Sequence, residues 1–355
     1  MDCLPERSAI SKPPLWIAWA PYAPRSQRLA AALGAEMHCI HFLAFQRPWV
    51  APWKYPIQAL VTWRLLWRRQ ARVVLVQNPP IFAVLLVALY ARLVHGRFVI
   101  DAHTGALVGY KWRWSRGLHR WLSRHALVTL VTNEALRDLL VKGRAAREAR
   151  IRVLADPPVE WRDSCSQLPA PGARQVVVIA TYGPDEPIAA ILAAAHRLPE
   201  VTFAITGDMR RLSAALRAIC PPNVRLTGWM NDADYRALIC RANVVVALTT
   251  RDHTLLSGAW EALYTGQPLV TSDWPVLRMA FPQGAIFTRA TPEAIERSIR
   301  LALAREDQLR SDMQALAAQK RQEWEATFVE LRRLVLEESG TEELCAGCNS
   351  SRLTC

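Results

Sequence analysis

The chain has 355 residues, 51% hydrophobic and 21% charged, which suits about two domains with cores of their own and excludes a disordered or fibrous protein. Its net charge of +13 calls for an anionic partner, whether nucleic acid, a lipid surface or a phosphorylated substrate, and charge alone does not choose. Fourteen tryptophans, among them Trp49, Trp53, Trp63, Trp67, Trp112, Trp114 and Trp121 beside Arg or Lys, suit either the headgroup layer of a membrane or a Trp-rich core and rim.

Met1–Pro14 lacks the apolar core of a secretory signal, so a cytoplasmic chain is expected. The cysteines fall mostly inside apolar segments and read as small core residues of a reducing compartment. A strand is predicted over Leu15–Ala20, ending at the polar loop "PYAPRSQR" that carries Arg25. In "PWKYPIQALVTWRLLWRRQARVV", Trp63 and Trp67 are four apart, as are Arg64 and Arg68, giving a helix with an aromatic face beside a basic one. That pattern fits an interfacial helix on anionic lipid, or a core-packed helix with a solvated basic edge.

Val73–Gln77 is a β-branched run typical of a buried strand, and Pro79-Pro80 then sets a helix start. The apolar run Ile81–Leu93 falls short of the ~20 residues needed to cross a bilayer. Arg97–Asp101 forms the next strand, so the stretch is a βαβ unit. Ligands of open parallel sheets collect at the carboxyl ends of strands, which draws attention to Asn78 after one strand and to Asp101, His103 and Thr104 at the end of the next. Leu127–Thr132 continues the alternation.

A Pro-rich polar linker follows, and the same grammar restarts with strands predicted at Val176–Ala180, Thr202–Thr206, Val224–Leu226, Val244–Leu248 and Pro268–Thr271. From Thr291 onward the pattern is helical and charged, either packing back across the linker or solvated. The tail "CAGCNSSRLTC" has metal-like cysteine spacing without a certain fourth ligand and is expected to be loose. The expected division is an N-terminal extension (1–13), an acceptor domain (14–155), a linker (156–174), a donor domain with terminal helices (175–337) and a Cys-containing tail (338–355).

In "SGAWEALYTGQPLV" a tight loop enters a helix whose first N–H groups favour a diphosphate, putting Ser257 and Gly258 in position to receive one. Gly183, after the first strand of this half, is a further backbone donor. No carboxylate pair of metal-ligand type follows a strand, so neither a metal nor a cofactor is expected.

The stretches "IATYGPDEPIAAIL", "VRLTGWMNDADYRALICRANVVVALTT" and "DHTLLSGAWEALYTGQPLVTSDWP" resemble the B-fold glycosyltransferases, family 4 and the chitobiosyldiphosphodolichol β-mannosyltransferase family above all, over roughly residues 14–335. The resemblance implies an α/β protein of two Rossmann-like domains facing a cleft, the GT-B fold. It implies transfer of a hexose, mannose-type favoured, from a nucleoside-diphosphate sugar to a glycan or lipid-linked acceptor at the cytoplasmic face of a membrane, with the protein peripheral and no nucleic acid bound. It gives Glu261 the donor ribose, places Gly228 and Trp229 on the donor nucleotide, and puts His103 at the reacting centre with Asp101 as runner-up base. Arg25 and Asn78 fall on the acceptor side. His253 stands where the family carries a second glutamate, either as a substitute ligand of the donor sugar or as a plain loop residue. The family's basic pair after the first donor-domain strand is replaced by "TYGPDEP", leaving Arg210, Arg211 and Arg251 as candidates for the phosphates. Competing expectations are a nucleic-acid binder, for which no reading module is visible, and a membrane-binding protein on an inactive B-type fold.

Overall fold

A computed structural model describes residues 12–42, 48–144, 146–161 and 174–340. Nearly all of the N-terminal extension, most of the linker and the cysteine-spaced tail lie outside these residues. The chain divides into two compact units, one of residues 1–157 with 325–355 and one of 158–324.

The first unit is built on six parallel strands: β1 (Leu15–Ala18), β2 (Glu36–Cys39), β3 (Val73–Asn78), β4 (Arg97–Ala102), β5 (Val128–Val131) and β6 (Ile151–Val153), in the order β2-β1-β3-β4-β5-β6. The central strands are Val- and Ile-rich because helices cover both faces of the sheet. Between them run α1 (Pro24–Leu33), α2 (Ala51–Arg69), α3 (Ile81–Leu93), α4 (Thr104–Leu107), α5 (Arg116–His125) and α6 (Glu134–Lys142). The apolar run over Ile81–Leu93 is α3, entered from Pro80 as N-cap and joining β3 to β4 as a crossover. Among the described residues no helix is long and apolar enough to cross a membrane.

Of the aromatic pair expected on one face of α2, Trp67 is exposed by 44% and Trp63 is turned partly inward. Trp63 is partly buried against the core and meets Trp67 edge-on, with ring centroids 5.9 Å apart, while Trp67 also abuts buried Tyr90 of α3.

The second unit repeats the plan with β7 (Gln175–Val178), β8 (Thr202–Thr206), β9 (Val224–Gly228), β10 (Val244–Ala247), β11 (Leu269–Ser272) and β12 (Ala285–Thr288), all parallel, in the order β12-β11-β10-β7-β8-β9. Strand order reverses between β1 and β3 in the first sheet and between β7 and β10 in the second. These are the switch points where parallel sheets open a crevice at their carboxyl ends. The two sheets supply the expected α/β fold with two Rossmann-like units.

The last helix, Glu306–Ser339, belongs with the second unit at its start and with the first from residue 325 onward. There Glu330 and Glu338 pair with Arg152 (3.8 Å) and Arg97 (3.3 Å). Cys39 and Cys220 are free thiols, whereas Cys240 is disulfide-bonded, a departure from the expectation of reduced core cysteines.

Candidate functional site

In the first unit the polar residues at the strand ends gather around Asp101. This carboxylate, the penultimate residue of β4, is fully buried; its Oδ2 faces His103 Nε2 at 3.1 Å and its Oδ1 accepts from Arg25 Nε at 3.3 Å. Burial alone would raise the Asp101 pKa, but the charges of Arg25 and His103 and the hydrogen bonds from both outweigh it and hold the carboxyl well below the usual range. A carboxylate so firmly ionised and sealed from solvent is a poor proton acceptor. Asp101, expected as the runner-up base, is thus held against Arg25 and the His103 imidazole.

His103 itself is part-exposed, at 30%, and its backbone N–H donates to the Asn78 carbonyl at 2.9 Å. Its ring is anchored on one nitrogen while its edge reaches the surface of the unit.

Arg25 and Asn78, expected on the acceptor side, are both buried and hydrogen-bonded within the unit. Arg25 is buried at the start of α1, and beyond Asp101 it donates to Asp156 Oδ1 (2.9 Å) and the Leu154 carbonyl (2.8 Å). Asn78 is buried too, its Nδ2 lying 2.9 Å from Nδ1 of His119 on α5. Burial pushes the His119 imidazole down to about 4 from 6.5. The unfolded chain then takes up a proton below 6.5 that the folded chain refuses until about 4, so stability is complete above that window and falls as pH drops through it. The loss is on the order of 3 kcal/mol. Replacing His119 by Gln should flatten the fall in melting temperature over this window; an unchanged slope would assign it to other groups.

In the second unit the switch point between β7 and β10 is closed by two loops and a helix. The helix Ser257–Thr265 begins from Leu256 and ends at Gly266, whose φ of +72° suits glycine. Its first turn lies so close to the end of β7 that a Cβ on Gly258 would come within 2.8 Å of Ile179 Cγ2. Gly258 is thus required for this approach, which brings the positive end of the helix to the crevice.

One turn further in, Glu261 is buried, and its Oε2 accepts from the Tyr235 hydroxyl at 2.6 Å. Tyr235 lies on the helix Asp232–Cys240 and is not among the residues that the sequence pattern marks. Its ring meets Trp161 edge-on at 6.0 Å, and the only sequence signal is its place in the "NDADYRAL" stretch.

The loop after β7 departs from expectation. Thr181 N (2.9 Å), Thr181 Oγ1 (2.8 Å) and Gly183 N (3.1 Å) all donate to the Glu186 carboxylate. The Gly183 N–H expected to serve a phosphate is therefore engaged by the chain's own anion. Asp185 ties this loop to the one after β10, accepting from Thr249 Oγ1 at 2.9 Å and lying 3.5 Å from the exposed Arg251 guanidinium. Arg210 is taken by Asp208. His253 has a φ of +60° and stands beside Asp252, its Nε2 3.7 Å from that carboxylate. Gly228 closes β9 with a φ of +71°, next to the exposed Trp229.

The structure thus brings together His103, Asp101 and Arg25 in one unit. In the other it brings Ser257, Gly258 and Glu261 onto one helix, with Gly183 and Arg251 in loops joined by Asp185.

A family model described as glycosyl transferase-like matches residues 185–331, from this loop into the last helix. No curated protein matches the chain significantly. Among solved structures, sucrose-phosphate synthase from Thermosynechococcus elongatus aligns with a TM-score of 0.69 at 14% identity, over 92% of this chain and 99% of that one. Anabaena HepE, in complex with UDP and glucose, aligns with a TM-score of 0.67 at 13% identity over 92% and 91%. UDP-GlcNAc 2-epimerase from Neisseria meningitidis, bound to UDP-GlcNAc, gives 0.64 at 11% over 91% and 99%. Likeness at these identities establishes the shared fold, the GT-B arrangement of glycosyltransferases and such epimerases.

Proposed function

We propose that the chain is a glycosyltransferase that moves a hexose from a nucleoside-diphosphate sugar to a lipid-linked or polysaccharide acceptor at the cytoplasmic face of a membrane. The observation that carries this reading is the Ser257–Thr265 helix at the switch point of the second sheet. Its N-terminal turn is held against β7 by Gly258, and Glu261 is buried one turn behind it. This helix lies inside the stretch matched by the glycosyl transferase-like family model. That HepE holds UDP and glucose, in a structure of the same fold, supports a nucleoside-diphosphate donor. A mannose-type sugar is favoured by the sequence resemblance.

In this reading the diphosphate meets the N–H groups at Ser257 and Gly258, and charge developing on the leaving group is stabilised by the helix end and by Arg251, without a metal. Glu261 takes the ribose hydroxyls; Gly228 and Trp229 flank the nucleotide, and His253 meets the sugar. His103 accepts the proton of the attacking hydroxyl, its imidazole aligned by Asp101.

Calorimetric titration of the full chain with nucleoside diphosphates tests the donor half. Glu261→Gln should weaken binding about tenfold, because a hydrogen bond to a charged group contributes roughly 1.5 to 3 kcal/mol. Affinity within about twofold of the parent would remove Glu261 from the ribose. Release of nucleoside diphosphate from a panel of nucleotide sugars, followed by mass spectrometry, tests turnover. Binding without turnover on any donor, with or without lipid extract, would favour the inactive B-type fold.

A further inference from the structure

Helix α2 buries three polar side chains, Lys54, Gln58 and Thr62, beside Leu66, and each is accommodated: Gln58 Nε2 donates to the Ile40 carbonyl at 2.8 Å, Thr62 Oγ1 accepts from Trp19 Nε1 at 2.9 Å, and the Lys54 ammonium lies 4.7 Å from the centre of the Tyr55 ring. Its outward face carries Trp53, Ile57, Leu60 and Trp67, exposed by 42 to 72%. A surface helix covered by water has the opposite pattern.

The neighbouring helix continues the anomaly. α3 packs between α2 and α5, and Phe82, Leu85, Leu89 and Leu93 all point outward, at the spacing of one helix face. The two apolar faces join through Phe82, whose ring lies 5.0 Å from Tyr55 of α2 and 5.8 Å from Trp114. Four residues before Trp114 stands Tyr110, the most exposed large hydrophobic among the described residues at 81%.

The elements that form this patch, α2, α3 and residues 110–116, carry basic residues and no acidic one. From Glu36 to Glu134 the only acidic residue between them is Asp101, and it is buried. The exposed charges bordering the patch are basic, among them Arg64, Arg68, Arg92, Lys111, Arg113 and Arg116.

We infer that this face of the first unit docks onto an anionic lipid bilayer. The leucines and Ile57 enter the acyl boundary, the Trp and Tyr rings sit at headgroup level, and the arginines and lysines reach the lipid phosphates. A second copy of the chain is the poorer occupant, since apposing this face with itself across a two-fold axis would bring like charges together with no acid to pair them. The inference deepens the proposed function by naming the surface through which a lipid-linked acceptor is met; docking itself does not depend on catalysis.

The test is co-sedimentation of the full chain with vesicles of phosphatidylcholine alone and of phosphatidylcholine with phosphatidylglycerol. Light scattering of the free protein and calorimetric titration with UDP and GDP run in parallel. The parent should bind the anionic vesicles in preference and lose that preference in high salt. The double variant Leu85→Glu/Leu89→Glu, exposed positions whose exchange leaves the core intact, should weaken vesicle binding at least ~10-fold with nucleotide affinity and circular dichroism unchanged. Arg64→Ala/Arg68→Ala should reduce the anionic preference alone. Equal binding by parent and double variant, or none by either, overturns the inference. So does a dimer that the leucine variant dissociates, which would give the face to a second copy. Loss of nucleotide binding in the parent would strike the proposed function and leave the docking result standing.

Discussion

His103→Ala should lower kcat by ~10²-fold or more, the scale expected of a positioned proton acceptor, while affinity for nucleoside diphosphate stays within about twofold. The contact that matters forms as the acceptor hydroxyl loses its proton, so it contributes to the transition state and not to donor binding. Asp101→Asn is the informative comparison. An amide can still bond His103 Nε2, so the ring remains roughly in place, but the charge that favours the imidazolium is gone; the expected loss lies between the parent and His103→Ala. Near-parental turnover in His103→Ala with an inactive Asp101→Asn would move the proton transfer away from the imidazole.

Arg25→Met should destabilise the protein by about 3 to 5 kcal/mol at neutral pH, because it strands a buried carboxylate that the guanidinium had paired. Arg25 joins Asp101 on β4 to Asp156 and the Leu154 carbonyl after β6, so two strand ends lose a common partner. The pH dependence has a definite sign. In the parent, Asp101 titrates below the ordinary carboxylate value of 3.8, and the stability it contributes is present above that value and lost as pH falls toward the folded pKa. Without Arg25, burial dominates and the folded pKa rises, so the variant's deficit is largest at neutral pH and shrinks as acid lets Asp101 take a proton. Urea unfolding at neutral and mildly acidic pH measures this. A deficit under about 1 kcal/mol, or one that grows in acid, would mean that Arg25 is not what holds Asp101 ionised.

The strands that were legible in the sequence are mostly the ones enclosed on both faces. β3, β4, β7 and β10 are Val- and Ile-rich runs whose character follows directly from burial. The three strands that pattern did not reveal, β2 ("EMHC"), β6 ("IRV") and β12 ("AIFT"), are all sheet edges. An edge strand is half covered, short and mixed in composition, so it lacks the apolar run that marks its neighbours.

The site divides in a similar way. Which loops matter could be read, because they follow strands; which way their side chains turn could not. Arg25 opens α1 and Asn78 closes β3, yet they face Asp156 and His119, 131 and 41 residues away along the chain. The role of Glu186 as the anion in its own loop depends on backbone N–H directions that composition does not carry. Tyr235, likewise, is marked only by its contact with Glu261, 26 residues on.

The central claim is that the second unit holds a nucleoside-diphosphate sugar between the Ser257–Thr265 helix and the loop after β7. Calorimetric titration of the full chain with UDP, GDP and a short oligonucleotide, each against the parent and Glu261→Gln, tests it most directly. The claim predicts saturable one-to-one binding of at least one nucleoside diphosphate, weakened about tenfold in Glu261→Gln, and no comparable binding of the oligonucleotide. Heat from the oligonucleotide alone, or identical diphosphate affinity in both proteins, would contradict it.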